Sequence, residues 1–155
     1  MKSASQHNAL YAGGLPDQNK GPIRDYWKTL LCELAHKYRR VVSTSQYEMD
    51  IETLKQTMND RFADCLRSDG FRVSHAQKSL SVFLKHLWCI GEIATPPQCP
   101  VDAIILAKAG LRYPDTRWTY VNSVEEHRRK VAFLDECARA SGLRLAEWEL
   151  KAFQT

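Results

Sequence analysis

The stretch that decides the fold is residues 72–110, which read RVSHAQKSLSVFLKHLWCIGEIATPPQCPVDAIILAKAG. At about 100° per residue, apolar side chains collect on one side of a helix over residues 75–90. These are Ala76, Leu80, Phe83, Leu84, Leu87 and Trp88. The basic side chains of the same segment gather on the other side, and Gly91 is expected to end the helix. The pattern predicts an amphipathic helix with a buried apolar face and an exposed basic face.

A proline-rich turn follows this helix. Residues 95–100 read TPPQCP, and each proline fixes its own φ and keeps the preceding residue out of the helical region. Pro100 then opens a nearly all-apolar segment, residues 101–109, which Gly110 ends. We expect this segment to be a short helix, buried on most sides at the centre of the domain.

The rest of the chain predicts further helices and almost no strand. Ser45 with Glu48, and Ser123 with Glu126, have the spacing of capping boxes that open helices. Helical periodicity marks four segments, 22–40, 45–68, 123–141 and 145–153. The sequence therefore predicts an all-α protein, a single compact domain of five or six helices over residues 22–155.

Residues 1–21 differ from the rest in composition. They are rich in Gly, Ser, Gln and Asn and have few apolar groups to offset the entropy of ordering. We expect a flexible N-terminal arm that is neither a secretory leader nor a transit helix. No apolar run reaches the roughly 18 residues that cross a bilayer, so a soluble, cytoplasmic protein without membrane contact is expected.

Charge and cysteine usage exclude several functional classes. The net charge of +4 is a mild basic excess, below that of dedicated nucleic-acid binders. The five cysteines are far apart and lack the spacing of zinc ligands or of a disulfide framework. We expect no metal and no cofactor. Cys99, in the proline turn, is the one cysteine for which a reactive thiol is considered, beside the commoner interpretation as a small apolar residue.

Two groups of residues are candidates for binding. Arg72, His75, Lys78, Lys85 and His86 would form a basic stripe around the helix over 75–90, and such side chains contact phosphate. Acidic residues nearby in the sequence fit instead an ordinary solvated face with local ion pairs. Both interpretations remain open.

The second group is aromatic. Trp118 and Tyr120 lie in the connection before Ser123 and would border a binding cleft if that loop covers the proline turn. Packing against the core is the competing interpretation for the tryptophan.

Lys78 and Asp102 are the candidates for chemistry. An acid in the first turn of a helix stabilises the exposed N–H groups there, which is the structural interpretation of Asp102. The functional interpretation is a poised carboxylate tuned by a lysine. A lysine acts as a nucleophile only when desolvation or nearby cations favour the neutral amine. Lys78 is the nearest candidate partner in the sequence.

The order of residues here has a parallel in a known family. Residues 77–80 read QKSL, residues 83–85 read FLK, and residues 100–102 read PVD at the start of the apolar helix. This resembles the helix-hairpin-helix DNA glycosylases that remove 8-oxoguanine, and the resemblance is confined to residues 72–110. It implies that Lys78 forms a Schiff base with the sugar C1′ and that Asp102 assists as the acid.

Two functional hypotheses follow. The leading one is a helical domain that binds a macromolecular partner, protein or nucleic acid, through the basic face of the 75–90 helix and the turn at 95–102. The alternative is an enzyme of the DNA glycosylase and lyase kind, with Lys78 and Asp102 as its catalytic residues.

Overall fold

The structure is a computed structural model that describes residues 9–154. Over those residues the chain is all-helical, which confirms the predicted class, and it has six α-helices. They are α1 (Asp17–Ala35), α2 (Thr44–Phe62), α3 (Val73–Cys89), α4 (Ala103–Lys108), α5 (Val124–Ala140) and α6 (Leu145–Gln154). Short 3-10 segments, His36–Arg39 and Ala63–Cys65, follow α1 and α2.

The predicted boundary between arm and domain at Gly21 is wrong. Helix α1 begins at Asp17, and Leu10 is 2% exposed within the core. The backbone of the N-terminal segment also pairs with the chain just after α2, since Ala12 N donates to Cys65 O and Arg67 N donates to Leu10 O, each at 3.0 Å. One buried leucine and these hydrogen bonds offset the ordering entropy that the composition suggested would dominate. Residues 1–8 of the predicted arm lie outside the described residues.

Local capping signals explain where the helices begin and end. Ser123 caps α5 as predicted, because its Oγ accepts from Glu126 N at 3.1 Å, and Gly142 follows α5 with a φ of +68°. The predicted cap at Ser45 is wrong: Ser43 caps α2 and accepts from Gln46 N at 3.1 Å. The turn type is the same, with its register shifted by two residues.

Two hydrophobic cores form inside the described part of the chain. The first lies between α1, α2 and α3, and Trp27, Tyr47 and Phe71 are fully buried in it. The second is smaller and lies between the proline turn, α4, α5 and α6, around Ile105 and Leu134. Helix α3 packs against α1 and α2 on one side and α5 on another, and so lies between the two cores.

The short helix α4 departs from the expected burial. Ile105 and Leu106 are fully buried, but Ile104 is 57% exposed and Ala103 and Ala107 are exposed too. The helix has six residues, fewer than two turns, and it packs against the second core on one side only. Its other side faces solvent. The apolar composition of this segment therefore predicted more burial than the structure has.

Helix α3 also departs from the prediction of an exposed basic face. Arg72, His75 and Lys78 are 5%, 0% and 7% exposed. Segments from both halves of the chain cover them, since Lys78 lies beside Trp118 and the His75 ring packs against Phe71 of the first core. The predicted basic stripe is therefore wrong for these three residues. The physical reason is that their polar groups find partners inside the protein, which removes the need for water.

Within residues 9–154, none of the helices combines the length and the hydropathy that crossing a membrane requires.

Candidate active site at the Lys78–Asp102 pair

A polar stripe on α3 faces the second half of the chain. Gln77 makes two hydrogen bonds with the backbone of Val101: its Nε2 donates to the carbonyl oxygen at 2.8 Å, and its Oε1 accepts from the N–H at 3.1 Å. Ser74 Oγ donates to Thr119 O at 2.8 Å, and Ser74 N donates to Val121 O at 3.0 Å. These bonds fix the proline turn and the 111–122 loop in register with α3.

The register brings Lys78 and Asp102 together. Because Gln77 holds Val101, the next residue on each segment meets the other, and Lys78 Nζ donates to Asp102 Oδ2 at 2.5 Å. The lysine side chain is 9% exposed and the aspartate side chain is 14% exposed. The pair is therefore largely withdrawn from water, where its electrostatic attraction is strong.

Asp102 caps α4 and also contacts Lys78. Its Oδ1 accepts from Ile105 N at 2.9 Å and so caps α4, while its Oδ2 accepts from Lys78. Each oxygen has one donor, and the cap prevents the carboxylate from rotating. The geometry is that of an acid held beside an amine with its orientation fixed.

The 111–122 loop brings one of the two predicted aromatic residues to this pair. The Trp118 ring centroid lies 5.9 Å from Lys78 Nζ, and Trp118 is 8% exposed. Tyr120 is 66% exposed instead and lies over guanidinium groups, at 5.6 Å from Arg72 and 4.9 Å from Arg117. Trp118 therefore borders the pair, whereas Tyr120 lies at the surface of the loop.

A second ion pair on α3 lies close enough to act on the first. Lys85 Nζ contacts Glu149 Oε1 at 2.9 Å and Oε2 at 2.8 Å, and Glu149 is 2% exposed. Burial raises the pKa of the Glu149 carboxyl, Lys85 and Lys78 act to lower it, and Asp102 acts to raise it further. The four groups are thus one electrostatic cluster between α3, α4 and α6.

Sequence reasoning missed Glu149. Its signal is weaker than that of Asp102, because Glu147 lies two residues before it; only the apolar neighbours Trp148 and Leu150 mark its position. Such an acid is buried only where a cation meets it.

The other predicted binding residues lie outside this cluster or support the fold. Arg72 forms an ion pair with Asp69, and the His75 ring accepts at Nδ1 from Arg72 N at 3.1 Å. His86 is exposed, and its Nδ1 lies 2.8 Å from Val82 O. The structure therefore brings Lys78, Asp102, Lys85 and Trp118 together, and it does not bring the others to them.

The remaining candidate chemistries lack support. Cys99 is 1% exposed, and burial raises the pKa of its thiol, which is the opposite of what an activated thiolate needs. In the described part of the chain, no three acidic, histidine or cysteine side chains are grouped as metal ligands.

The turn before α3 differs from the hairpin of the resembled family. Gly70 has a φ of +65°, and the Asn59 side chain receives a bond from Phe71 N and donates one to Phe71 O, each at 2.8 Å. The turn is braced against α2 through these two bonds. It carries one glycine, whereas a phosphate-gripping hairpin is rich in glycine.

Lys78 and Asp102 do not line any of five prominent open clefts on the described surface. Comparisons of the chain with family models, with curated proteins and with solved structures gave no match. The chemistry of the chain's own residues is therefore the basis on which a function can be assigned.

Proposed function

We propose that the protein is an amine-dependent enzyme acting on damaged DNA, a DNA glycosylase and abasic-site lyase. Lys78 is its Schiff-base amine and Asp102 its assisting acid. The observation that carries the proposal is the 2.5 Å contact between Lys78 Nζ and Asp102 Oδ2. The family resemblance at residues 72–110 implies this contact between two residues that are 24 positions apart.

The pair has the components for imine formation at an abasic sugar. Asp102 accepts a proton from the Lys78 ammonium group, and the neutral amine adds to the C1′ aldehyde of the ring-opened sugar. Asp102 returns the proton to the resulting hydroxyl group, which leaves as water and gives the protonated imine. The Asp102 carboxylate, which has given up its proton, then takes a proton from C2′; the C2′–C3′ double bond forms as the C3′–O bond to the phosphate breaks, and the strand is cut.

The surroundings of the pair support sugar recognition. The pair is 9% and 14% exposed, so the reaction proceeds away from bulk water once the site is reached. The 111–122 loop next to it carries exposed Arg112, Tyr113 and Arg117. Guanidinium and aromatic groups of this kind bind phosphates and unstacked bases. In the proposed mechanism, displacement of Trp118 with this loop admits the extruded sugar.

Partner binding through the basic face of the 75–90 helix has less support. Arg72, His75 and Lys78 are buried, as are Pro96, Gln98 and Cys99 in the proline turn. A partner would therefore find little of this face exposed, and of its predicted binding residues on α3 only His86 is exposed. For this reason the enzymatic proposal replaces the binding one as the leading hypothesis.

Borohydride trapping on a duplex with one abasic site tests the proposal. The imine between enzyme and DNA is reduced to a stable adduct, so the full chain should form a covalent complex. Lys78→Gln should form none. Lys108→Gln is the control, because it removes the same charge from an exposed lysine outside the Lys78–Asp102 cluster and should leave the adduct in place.

Asp102→Asn provides a graded test of the acid. An asparagine oxygen still accepts from Ile105 N, so the cap is kept while the proton carrier is lost. The rate of trapping should fall by roughly 10² to 10⁴. An adduct that persists in Lys78→Gln, or the failure of the full chain to form any, would overturn the proposal.

A further inference from the structure

A separate cleft of about 390 Å³ lies between the start of α2, the proline turn and α5. Thr44 and Ser45 line it from α2, Gln98 lines it from the turn, and Arg128 and Arg139 line it from α5. Lys78 and Asp102 are not among its lining residues, so the cleft is distinct from the candidate active site.

Gln98 contributes a buried donor to this cleft. The residue is 2% exposed, and its Oε1 lies 2.8 Å from His127 Nε2. Burial lowers the pKa of the His127 imidazole to about 4, so the ring is neutral near pH 7. In the tautomer with the proton on Nε2, the ring donates to Gln98 Oε1.

The amide nitrogen of the same side chain has no such contact. Gln98 Nε2 is buried and has no hydrogen-bond partner among the described residues. Buried donors are rarely left without an acceptor. A side chain that lines a cleft and has an unused donor indicates that an acceptor belongs in the cleft.

The start of α2 supplies further donors. Thr44 and Ser45 are its first two residues, and the N–H groups of a first turn have no acceptor within the helix. The Ser43 side chain caps Gln46 N, one residue further on. The dipole of this 19-residue helix places partial positive charge at the same end.

Two arginines on α5 also line the cleft, and each is oriented by an acid, Glu48 or Asp135, that lines the cleft as well. Arg128 donates through Nε and Nη2 to the Glu48 carboxylate, at 3.1 and 2.7 Å, which leaves Nη1 outside that contact. Arg139 Nη2 contacts Asp135 Oδ2 at 2.9 Å. Their side chains are 60% and 70% exposed, so both can reach a ligand at the mouth of the cleft.

We infer that this cleft binds the phosphate group of a small ligand. The Gln98 amide and the α2 N-terminus contact the phosphate oxygens from the floor, and the two guanidinium groups contact them from the rim. Donors that converge from several directions suit a tetrahedral oxyanion, which offers more acceptor oxygens than a planar carboxylate. The inference does not depend on the activity proposed for Lys78.

NMR titration of the full chain with inorganic phosphate, at constant ionic strength, tests the inference. Saturable shifts are expected at the backbone amides of Thr44 and Ser45 and at the side-chain amide of Gln98. Acetate, the charge control, should bind at least about tenfold more weakly. A nucleoside monophosphate in a parallel arm distinguishes the source: tighter binding than phosphate assigns a nucleotide-like ligand, and equal binding assigns the free anion.

Two arginine variants give matched readouts. Arg139→Gln should weaken phosphate binding by about tenfold, because it removes a charge-assisted donor. Arg129→Gln is the control: Arg129 follows Arg128 in the sequence, lies outside the cleft and has a side chain that is 75% exposed. This variant loses the same charge and should change the affinity for phosphate by less than about twofold. Absence of saturable shifts, equal binding of acetate, or equal weakening by both variants would overturn the inference.

Discussion

The two hydrophobic cores are held together in different ways. In the first core, Trp27 packs edge-on against Phe71 with ring centroids 4.8 Å apart, and both residues are fully buried. The second core is joined to α3 largely through polar contacts, of which the Lys78–Asp102 and Lys85–Glu149 pairs are the charged ones. Apolar burial is the main stabilisation of the first core, although Tyr38 also donates to the buried Asp50 at 2.8 Å. The seam between the cores, where α3 meets the proline turn, α4 and α6, depends on charge and on hydrogen-bond geometry.

This difference explains why the candidate reactive groups lie between the two cores. The titratable groups buried in the first core are phenols such as those of Tyr38 and Tyr47, whereas the seam orients an amine and a carboxylate against each other away from bulk water. The first core therefore serves as the support for α3, and the seam holds the reactive groups.

The largest expected effect on stability is at Trp27. Trp27→Ala should lower the free energy of unfolding by about 3 to 5 kcal/mol, because it leaves a cavity in the first core. Trp27→Phe keeps most of the volume but loses the hydrogen bond from Trp27 Nε1 to Ser79 Oγ, so about 1 to 2 kcal/mol is expected. Urea unfolding measures both. A loss below about 1 kcal/mol for the alanine variant would contradict the role given to this core.

In the charged seam, a substitution at Lys85 should change the free energy of unfolding in a way that depends on pH. Lys85→Met leaves Glu149 buried without its cation and should lower the free energy of unfolding by about 3 kcal/mol near pH 7. The effect should shrink toward acid pH. Burial already raises the pKa of Glu149, so the folded state binds a proton there more readily than the unfolded state, and stability is lost as the pH rises through the folded pKa.

The double variant Lys85→Met with Glu149→Leu is the control for that experiment. It removes both charges at once, so it should recover most of the loss and show no acid recovery. Equal effects of the single variant at pH 5 and pH 7 would contradict a buried, uncompensated carboxylate.

A smaller effect on the free energy of unfolding, with the opposite dependence on pH, is expected from His127. Burial lowers its pKa to about 4 from the ordinary 6.5, so below pH 6.5 the unfolded state binds more protons than the folded state. Stability should therefore fall by about 2 kcal/mol between pH 7 and pH 5 from this residue alone. Urea unfolding at both values, compared with His127→Gln, isolates the effect. An equal loss in the variant would assign the acid sensitivity to other groups.

The sequence contained the information for elements with local signals. Ser123 and Gly142 predicted both ends of α5, because a cap and a left-handed glycine act within one turn of the helix that they bound. The apolar face of α3 was equally predictable from its period. The start of α2 was missed by two residues because two serines, Ser43 and Ser45, compete for the same role.

The candidate site was predictable only in part. Lys78 and Asp102 stood out as residue types in an unusual setting, and the family resemblance paired them. The burial of Lys78 was not predictable, because its partner lies 24 residues away, and the partner of Lys85 lies 64 residues away. A helical period says which residues share a face, but it does not say whether another segment will cover that face.

Helix α4 gives the smallest expected effect and sharpens the contrast at the edge of the second core. Ile104 is 57% exposed and Ile105 is fully buried, although the two are adjacent in an apolar segment. Ile104→Ala should change the free energy of unfolding by less than about 0.5 kcal/mol, since surface substitutions seldom do more. Ile105→Ala should lower it by about 2 to 5 kcal/mol through the lost contacts and the cavity left behind. Urea unfolding of the two variants separates burial from composition: similar losses would mean that α4 is covered on both sides, as its sequence alone suggests.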